Sequence, residues 1–160
     1  MDISAAQPRI VLDTNACLDL WVFADPRAAG LLAALQSGAL QAVTHNECRD
    51  EWRRVLHYPQ LRLDDAARRV HANAYDALVL CLPGDAPPLR ADVRLPRCAD
   101  PDDQKFLQLA LVSGARWLVS RDHDVLMLGR RTRREGLFEI VSPQAWAALA
   151  ATGTTAEAER

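Results

Sequence analysis

The sequence lacks the patterns that mark several large classes of protein. Lys105 is the only lysine among 19 Lys and Arg residues. The cysteines, Cys17, Cys48, Cys81 and Cys98, include no closely spaced pair, which argues against a zinc module or a small disulfide scaffold. No apolar run approaches the roughly 18 residues that a membrane-spanning helix needs, and the amino terminus lacks the basic and apolar regions of a signal peptide. These absences predict a cytoplasmic protein with reduced thiols and no membrane contact.

The remaining composition is typical of a globular protein. Of 160 residues, 49% are apolar and 25% are charged, and the formal net charge is −2. A chain of this length can form one domain with a sizeable buried core. We predict this single domain over residues 1–150, followed by a disordered tail over the small and polar residues 151–160.

Short apolar segments alternate along the chain with segments of helical periodicity. The strands are predicted at residues 9–13, 39–44, 116–120 and 137–141, and the helices at residues 16–23, 26–36, 45–56, 64–82, 100–115 and 143–151. The apolar side of the helix at 64–82 is predicted to include Val70 and Cys81. The proline-rich segment 83–98 is predicted to be an extended connection. This alternation predicts an α/β protein with a largely parallel sheet.

Acidic residues follow two of the predicted strands. Asp13 follows "RIVL", and Asp122, with Asp124 two residues later, follows "RWLVSR". Because open α/β sheets bind ligands at the carboxyl ends of their strands, both strands deliver acids to the same edge. The helix that contains Glu51 and the helix that begins with "DPDD" at residues 100–103 are candidates to bring further acids there.

Each of these acids also has an ordinary structural explanation. The "DP" pair at residues 100–101 fits a helix N-cap, and Asp13 fits a cap for the helix that follows it. Asp122 and Asp124 fit turn positions. Glu51, beside two arginines, fits a solvated surface. From the residues alone, these explanations stay open beside a shared acidic site.

A shared site would require a counter-charge. At about 4 Å, two like charges repel by roughly 4 kcal/mol at an effective dielectric near 20. The cluster therefore either raises the pKa values of its carboxylates or holds a cation. Carboxylate oxygens favour Mg²⁺ or Mn²⁺ over zinc. The nearby imidazoles, His45 and His123, are predicted to be lone surface histidines.

Four segments together resemble the PIN-domain family. They are "IVLDTNACLD", "EWRRVL", "DPDDQKFLQLALVSGARWLVSRDHDVL" and "EIVSPQAW". The resemblance covers residues 9–147 and is closest to the branch of toxins from bacterial toxin–antitoxin pairs. It implies a three-layer α/β/α sandwich with a mainly parallel central sheet. It also implies an Mg²⁺- or Mn²⁺-dependent endoribonuclease that hydrolyses RNA phosphodiester bonds.

The same resemblance implies the residues of the site. Asp103 is preferred to Asp102 because Ala110 follows it by seven residues, as in the family's pattern. The family's catalytic and metal-binding quartet maps onto Asp13, Glu51, Asp103 and Asp122. Assisting polar positions around the quartet map onto Asn15, Ser120, Asp100 and Asp124.

The resemblance further implies a role for each acid. Asp13 and Asp103 would be the main metal ligands, and Asp122 a ligand directly or through water. Glu51 would be either a ligand or a base that orients the attacking water. In-line attack would leave a 5′-phosphate and a 3′-hydroxyl.

An arginine run lies shortly after the last of these acids. The segment "GRRTRR" could hold RNA phosphates beside the metal, or it could be a solvated loop. Both readings stay open. The residues concerned are Arg130, Arg131, Arg133 and Arg134.

Other functions remain as alternatives. A haloacid-dehalogenase-like phosphatase also begins with a strand and an aspartate, but it needs a second acid where Asn15 stands. A dinucleotide-binding domain needs a glycine-rich turn after the first strand, and "LDTNACL" has none. The third alternative is a non-catalytic PIN-like module that binds a protein. A cognate antitoxin and a homodimer are partners that the sequence leaves open.

Overall fold

A parallel five-stranded sheet forms the centre of the protein. The computed structural model describes residues 7–83 and 92–158, with side chains through residue 152. Every neighbouring pair of strands is parallel, and the order across the sheet is β3-β2-β1-β4-β5. The strands are β1 (Arg9–Leu12), β2 (Gln41–Thr44), β3 (Val79–Cys81), β4 (Trp117–Val119) and β5 (Glu139–Val141).

Helices connect the strands. In the described ranges, no helix is long and apolar enough to cross a membrane. A π-helical turn (Leu18–Val22) continues the first helix, and short 3₁₀ turns precede the second, fourth and fifth. The helices are α1 (Thr14–Cys17), α2 (Ala29–Ser37), α3 (Asn46–Val55), α4 (Asp65–Leu78), α5 (Gln104–Ser113), α6 (His123–Leu126), α7 (Gly129–Arg134) and α8 (Pro143–Ala158).

Alternate residues of the central strand face two separate apolar cores. Ile10 and Leu12 belong to one core, which includes residues of α1, α2, α4 and α8. Val11 belongs to the other core, with residues of α5 and α6. Helices therefore cover both faces of the sheet, as expected for parallel strands that read as continuous apolar runs. The predicted three-layer α/β/α fold is confirmed.

The edge strand β3 differs from the sequence-based prediction. The structure ends α4 at Leu78 and continues directly into Val79–Cys81, where a helix through residue 82 was expected. No glycine or proline separates the two elements, so the apolar periodicity does not mark the change. Val70, expected on the buried side, is exposed. The one buried residue of α4 is Tyr75.

Two further predictions concern segments without a strong sequence signal. The backbone of α8 continues through residues 151–158, for which a disordered tail was expected. Residues 84–91 of the expected extended connection lie outside the described residues. Residues 93–98 of that connection have no regular secondary structure.

The strand order creates a crevice between β1 and β4. From β1 the chain builds β2 and β3 on one side, and then β4 and β5 on the other. Ligand sites of doubly wound sheets lie at such a switch point, outside the carboxyl ends of the strands. Leu12 is paired with Val119, so residue 13 and residues 120–122 lie side by side at this edge.

Candidate metal centre at the carboxyl edge

Asp13 lies at the end of the central strand and also begins the next helix. Its backbone is extended, its amide donates to the Val119 carbonyl at 3.0 Å, and its carboxylate accepts the Ala16 amide at 2.8 Å. The side chain caps α1, as one reading of the sequence predicted. The capping side chain is nevertheless buried, with only 5% of the residue accessible to solvent. The acid is therefore both a cap and a buried group at the crevice.

Ser120 links the acids of the two neighbouring strands. It is fully buried after β4, and its hydroxyl accepts the Asp122 amide at 3.0 Å. The same side chain hydrogen-bonds to Asp13. Asp122 in turn caps α6, since its Oδ1 accepts the amides of Asp124 and Val125 at 2.8 and 3.3 Å. A single hydroxyl thus fixes the loop after β4 against the end of β1.

A 3₁₀ turn at Pro101–Asp103 brings further acids to this edge. Asp100 caps the turn by accepting the Asp102 amide at 2.9 Å. Asp103 is the last residue of the turn and is half-buried. Among the described residues, no side chain or amide donates a hydrogen bond to its carboxylate. Asp103 is thus held by its backbone while its charge stays unpaired.

Glu51 projects from α3 and is bound on both carboxylate oxygens. The Thr14 hydroxyl donates to Oε2, and the Lys105 ammonium donates to Oε1 at 2.7 Å. The Glu51 side chain is 16% exposed. The reading of Glu51 as a freely solvated surface acid is therefore wrong. It belongs to the same edge as Asp13, through its contact with the neighbouring Thr14.

The pKa values of two acids show that their charges are poorly compensated. The pKa of Asp13 is raised from 3.8 to about 7, chiefly by burial and further by Asp103 and Asp122, against the lowering effect of Ser120 and Ala16. The pKa of Asp103 is raised to about 6, chiefly by burial and then by Asp100, Asp122 and Glu51, against the lowering effect of Lys105. The quartet therefore lies close enough for its members to repel one another.

The donor set suits a hard divalent cation, although the side chains do not form a complete shell. Within the ranges that the structure describes, no three acidic, histidine or cysteine side chains are arranged as a ready metal site. The carboxylates of buried Asp13 and half-buried Asp103 nevertheless have raised pKa values and offer only oxygen atoms, which fits Mg²⁺ or Mn²⁺. Binding would require the carboxylates to move together around the ion.

The assisting positions separate into two groups. Ser120 contacts the acids directly, and Asp100 lies close enough to raise the pKa of Asp103. Asn15 and Asp124 are both exposed, and neither side chain makes a hydrogen bond to the quartet within the described part of the chain. The structure therefore brings Ser120 and Asp100 to the cluster but not the side chains of Asn15 and Asp124.

The arginine run forms the short helix α7 rather than a loop, and all four arginines are exposed. Arg131 pairs with Glu135 at 2.8 Å, and Arg133 lies 3.8 Å from Glu139. Arg130 and Arg134 make no ion pair with any described residue. Because they are four residues apart, they lie on the same face of the helix.

Two residues at this edge escaped the sequence-based prediction. Thr14 stands beside Asp13 and binds Glu51, and Lys105 crosses from α5 to α3 to reach the same carboxylate. The position of Lys105 indicates that it has an acidic partner, because a cation in the first turn of a helix is disfavoured by the helix dipole. That partner is far away in sequence, so no local pattern could identify it.

A second buried acid stabilises the loop that carries Asp122. Asp19 is 3% exposed, and its Oδ2 lies 2.7 Å from Nε of Arg121. Burial raises the pKa of Asp19, and Arg121 opposes this effect. The ion pair joins the π-helical turn after α1 to the residue next to Asp122.

Comparison with known proteins identifies the domain. The profile of the PIN domain matches residues 9–124 of the chain. This range includes the four acids of the quartet and ends before α7. A search of curated proteins finds no match.

Proposed function

The chain belongs to the PIN-domain family, whose members are generally nucleases, and we propose that it is a metal-dependent endoribonuclease that hydrolyses RNA phosphodiester bonds. The match to the family supports a nuclease-type function. The metal dependence, the preference for RNA and internal cleavage are our proposals.

One observation carries this proposal: Asp13 and Asp103 share the crevice between β1 and β4 without a cationic side chain bound to either carboxylate. Their pKa values of about 7 and about 6 mean that the metal-free protein must pay to ionise them near neutral pH. Such an arrangement destabilises the fold, so a function that needs it is the simplest reason for its presence. A divalent cation would supply the missing charge.

In the proposed reaction, Asp13, Asp103 and Asp122 would hold Mg²⁺ or Mn²⁺. The bound ion would lower the pKa of a coordinated water and stabilise the charge that builds on the phosphate. Ser120 keeps Asp13 and the Asp122 loop in register through its two hydrogen bonds. Glu51, already held by two donors, orients the attacking water, and the products carry a 5′-phosphate and a 3′-hydroxyl.

RNA phosphates are proposed to contact α7, beside the loop that carries Asp122. Arg130 and Arg134 share one face and are not engaged by acids within the described part of the chain, whereas Arg131 and Arg133 have acidic neighbours. The charges of Arg130 and Arg134 are therefore available to a phosphate backbone, and we assign the main RNA contact to these two residues.

Replacing Arg130 and Arg134 with glutamine is expected to flatten the salt dependence of RNA binding. Two lost phosphate contacts reduce the slope of log K against log salt by about 1.4 for a single strand. Binding can be measured by fluorescence anisotropy in an Asp13→Asn background, which prevents cleavage. The matched control is the Arg131→Gln, Arg133→Gln pair, for which a smaller change is expected. An unchanged slope in the first pair would contradict phosphate contact at α7.

The biological setting is proposed from the branch that the sequence resembles. We propose that the protein is the toxin of a toxin–antitoxin pair, with a cognate antitoxin and a homodimer as candidate partners. A cytoplasmic location is proposed with it. All four cysteines are free thiols, which agrees with a reducing compartment.

Substrate comparison tests the proposed activity. The wild-type protein with Mn²⁺ is given a mixed-sequence RNA, a single-stranded DNA of the same length and a small phosphomonoester. We expect cleavage of the RNA with 5′-phosphate ends. Turnover of the phosphomonoester alone would favour the haloacid-dehalogenase-like alternative. Mn²⁺ binding without cleavage of any nucleic acid would favour the protein-binding module.

A further inference from the structure

The members of the acidic quartet differ in how their charges are satisfied. Both oxygens of Glu51 are bound by protein donors, the Thr14 hydroxyl on one and the Lys105 ammonium on the other. No hydrogen-bond donor within the described ranges reaches the carboxylate of Asp103. Within the described ranges, the quartet is therefore three aspartates without a cationic side chain in contact and one glutamate with a bound counter-ion.

Lys105 is held firmly in this position. Its ammonium also donates to the Asp102 carbonyl at 2.6 Å, and it lies 5.2 Å from the centre of the Phe106 ring. Only 13% of the side chain is exposed. A lysine restrained by an anion, a carbonyl and an aromatic ring is an ordered part of the site rather than a mobile surface cation.

The position of this ammonium affects what the site can hold. A cation that used Glu51 as a ligand would have to displace Lys105 or Thr14 from the carboxylate and tolerate a positive charge beside it. A cation on the three aspartates displaces no ammonium group, although Lys105 is near enough to Asp103 to act on its charge. The Lys105–Glu51 pair adds no net charge, so the carboxylates left to bind a metal are those of the three aspartates, and we expect them to hold one divalent ion.

We propose that Lys105 is a positioning residue that holds Glu51 out of the metal's coordination shell. The site then takes a single divalent cation on the aspartates, and Glu51 is left to orient water. This inference rests on the proposed metal-dependent function and deepens it by assigning the metal count and separating the roles within the quartet.

Removal of the ammonium is expected to strengthen metal binding. In Lys105→Met, Glu51 loses its counter-ion and becomes available as a ligand. We expect Mn²⁺ to bind about tenfold tighter, or a second Mn²⁺ to bind, because a nearby positive charge has been removed. Isothermal titration with Mn²⁺ alone measures both affinity and stoichiometry. Lys105→Arg keeps the charge and is expected to retain the wild-type stoichiometry of one.

The double variant Lys105→Met, Glu51→Gln separates charge from coordination. It deletes a net-neutral pair, so an ion held by the aspartates should bind as one equivalent within about threefold of wild type. An ion that used Glu51 as a ligand would bind at least about tenfold more weakly. Arg69→Met, which removes an exposed arginine from α4, is the control for loss of a surface charge. Thermal unfolding confirms that each variant is folded.

The outcomes distinguish this inference from the function on which it rests. One Mn²⁺ in wild type, tighter or additional binding in Lys105→Met, and wild-type behaviour in the double variant would support it. Wild-type binding that is unaffected by Lys105→Met, or that is lost in the double variant, would overturn the role of Lys105 and leave the nuclease proposal intact. Absence of Mn²⁺ binding in wild type would overturn both.

Discussion

Replacing Asp103 with asparagine is expected to reduce kcat/KM for RNA by at least about a hundredfold, the scale seen when one group that stabilises the transition state is removed. The same replacement one residue earlier, Asp102→Asn, is expected to cost less than about threefold, as for most exposed positions. The two variants differ by one position and remove the same charge. Initial rates with Mn²⁺ and a fixed RNA measure the difference.

The reason for this contrast lies in the 3₁₀ turn that precedes α5. Asp102 is exposed. Its amide donates to the Asp100 carboxylate, and its carbonyl accepts from the Lys105 ammonium. Asp103 is half-buried, and its pKa of about 6 reflects burial and the neighbouring acids. Only Asp103 therefore has the carboxylate environment of a metal ligand. Equal losses in the two variants, or a larger loss at Asp102, would show that the acid had been assigned one position too late.

In the absence of divalent cations, Asp13→Asn is expected to stabilise the protein at pH 8. The pKa of Asp13 is about 7 in the folded state and near 3.8 when unfolded. Between these values the native state binds a proton that the unfolded state has released, so the free energy of unfolding of wild type falls as pH rises. Asparagine avoids this loss, and it retains the ability to cap α1.

Thermal unfolding in chelator measures this effect. One pKa unit corresponds to about 1.4 kcal/mol, and we expect a Tm increase of several degrees, roughly 5 °C, at pH 8. The increase should shrink as the pH falls to about 3, below both pKa values, where wild-type Asp13 is mostly protonated in both states. Asp64→Asn is the control, because Asp64 also caps a helix, α4, but is exposed. A lower Tm for Asp13→Asn at pH 8 would contradict the assigned burial of an uncompensated charge.

With Mn²⁺ added, the Tm of wild type should exceed that of Asp13→Asn. The cation binds the native state of wild type and raises its Tm by mass action, whereas Asp13→Asn has lost a ligand. The stabilisation of wild type should increase between pH 5 and pH 8, because the carboxylates must lose their protons before they bind the ion. The same acid is thus expected to cost stability without metal and to contribute it with metal.

The sequence predicts the central part of this architecture because its signals are local. An apolar run followed by Asp13 marks both the end of β1 and the cap of α1. Glycine at position 114 marks the end of α5, with a left-handed backbone at φ 70°. For Asp13, capping and clustering were treated as alternatives, and both are present in the structure, since a carboxylate can cap a helix and still face its neighbours. Asp122 was expected at a turn position if not in a shared site, and it also caps a helix.

The parts that the sequence misses depend on contacts between distant residues. β3 is recognised by its pairing with β2, not by a pattern of its own. The Glu51–Lys105 pair joins α3 to α5 over a separation of 54 residues. A local pattern can propose which residue types gather at an edge, but it cannot show which charges cancel. The metal-binding and catalytic roles of the quartet remain predictions.

The most direct test of the account is cleavage of a mixed-sequence RNA pool by wild type and Asp13→Asn, each with Mn²⁺ and with chelator. The account predicts cleavage only by wild type with Mn²⁺, because Asp13 is at the end of β1 to hold the ion. Cleavage that persists at the wild-type rate in chelator, or in a folded Asp13→Asn protein, would contradict it.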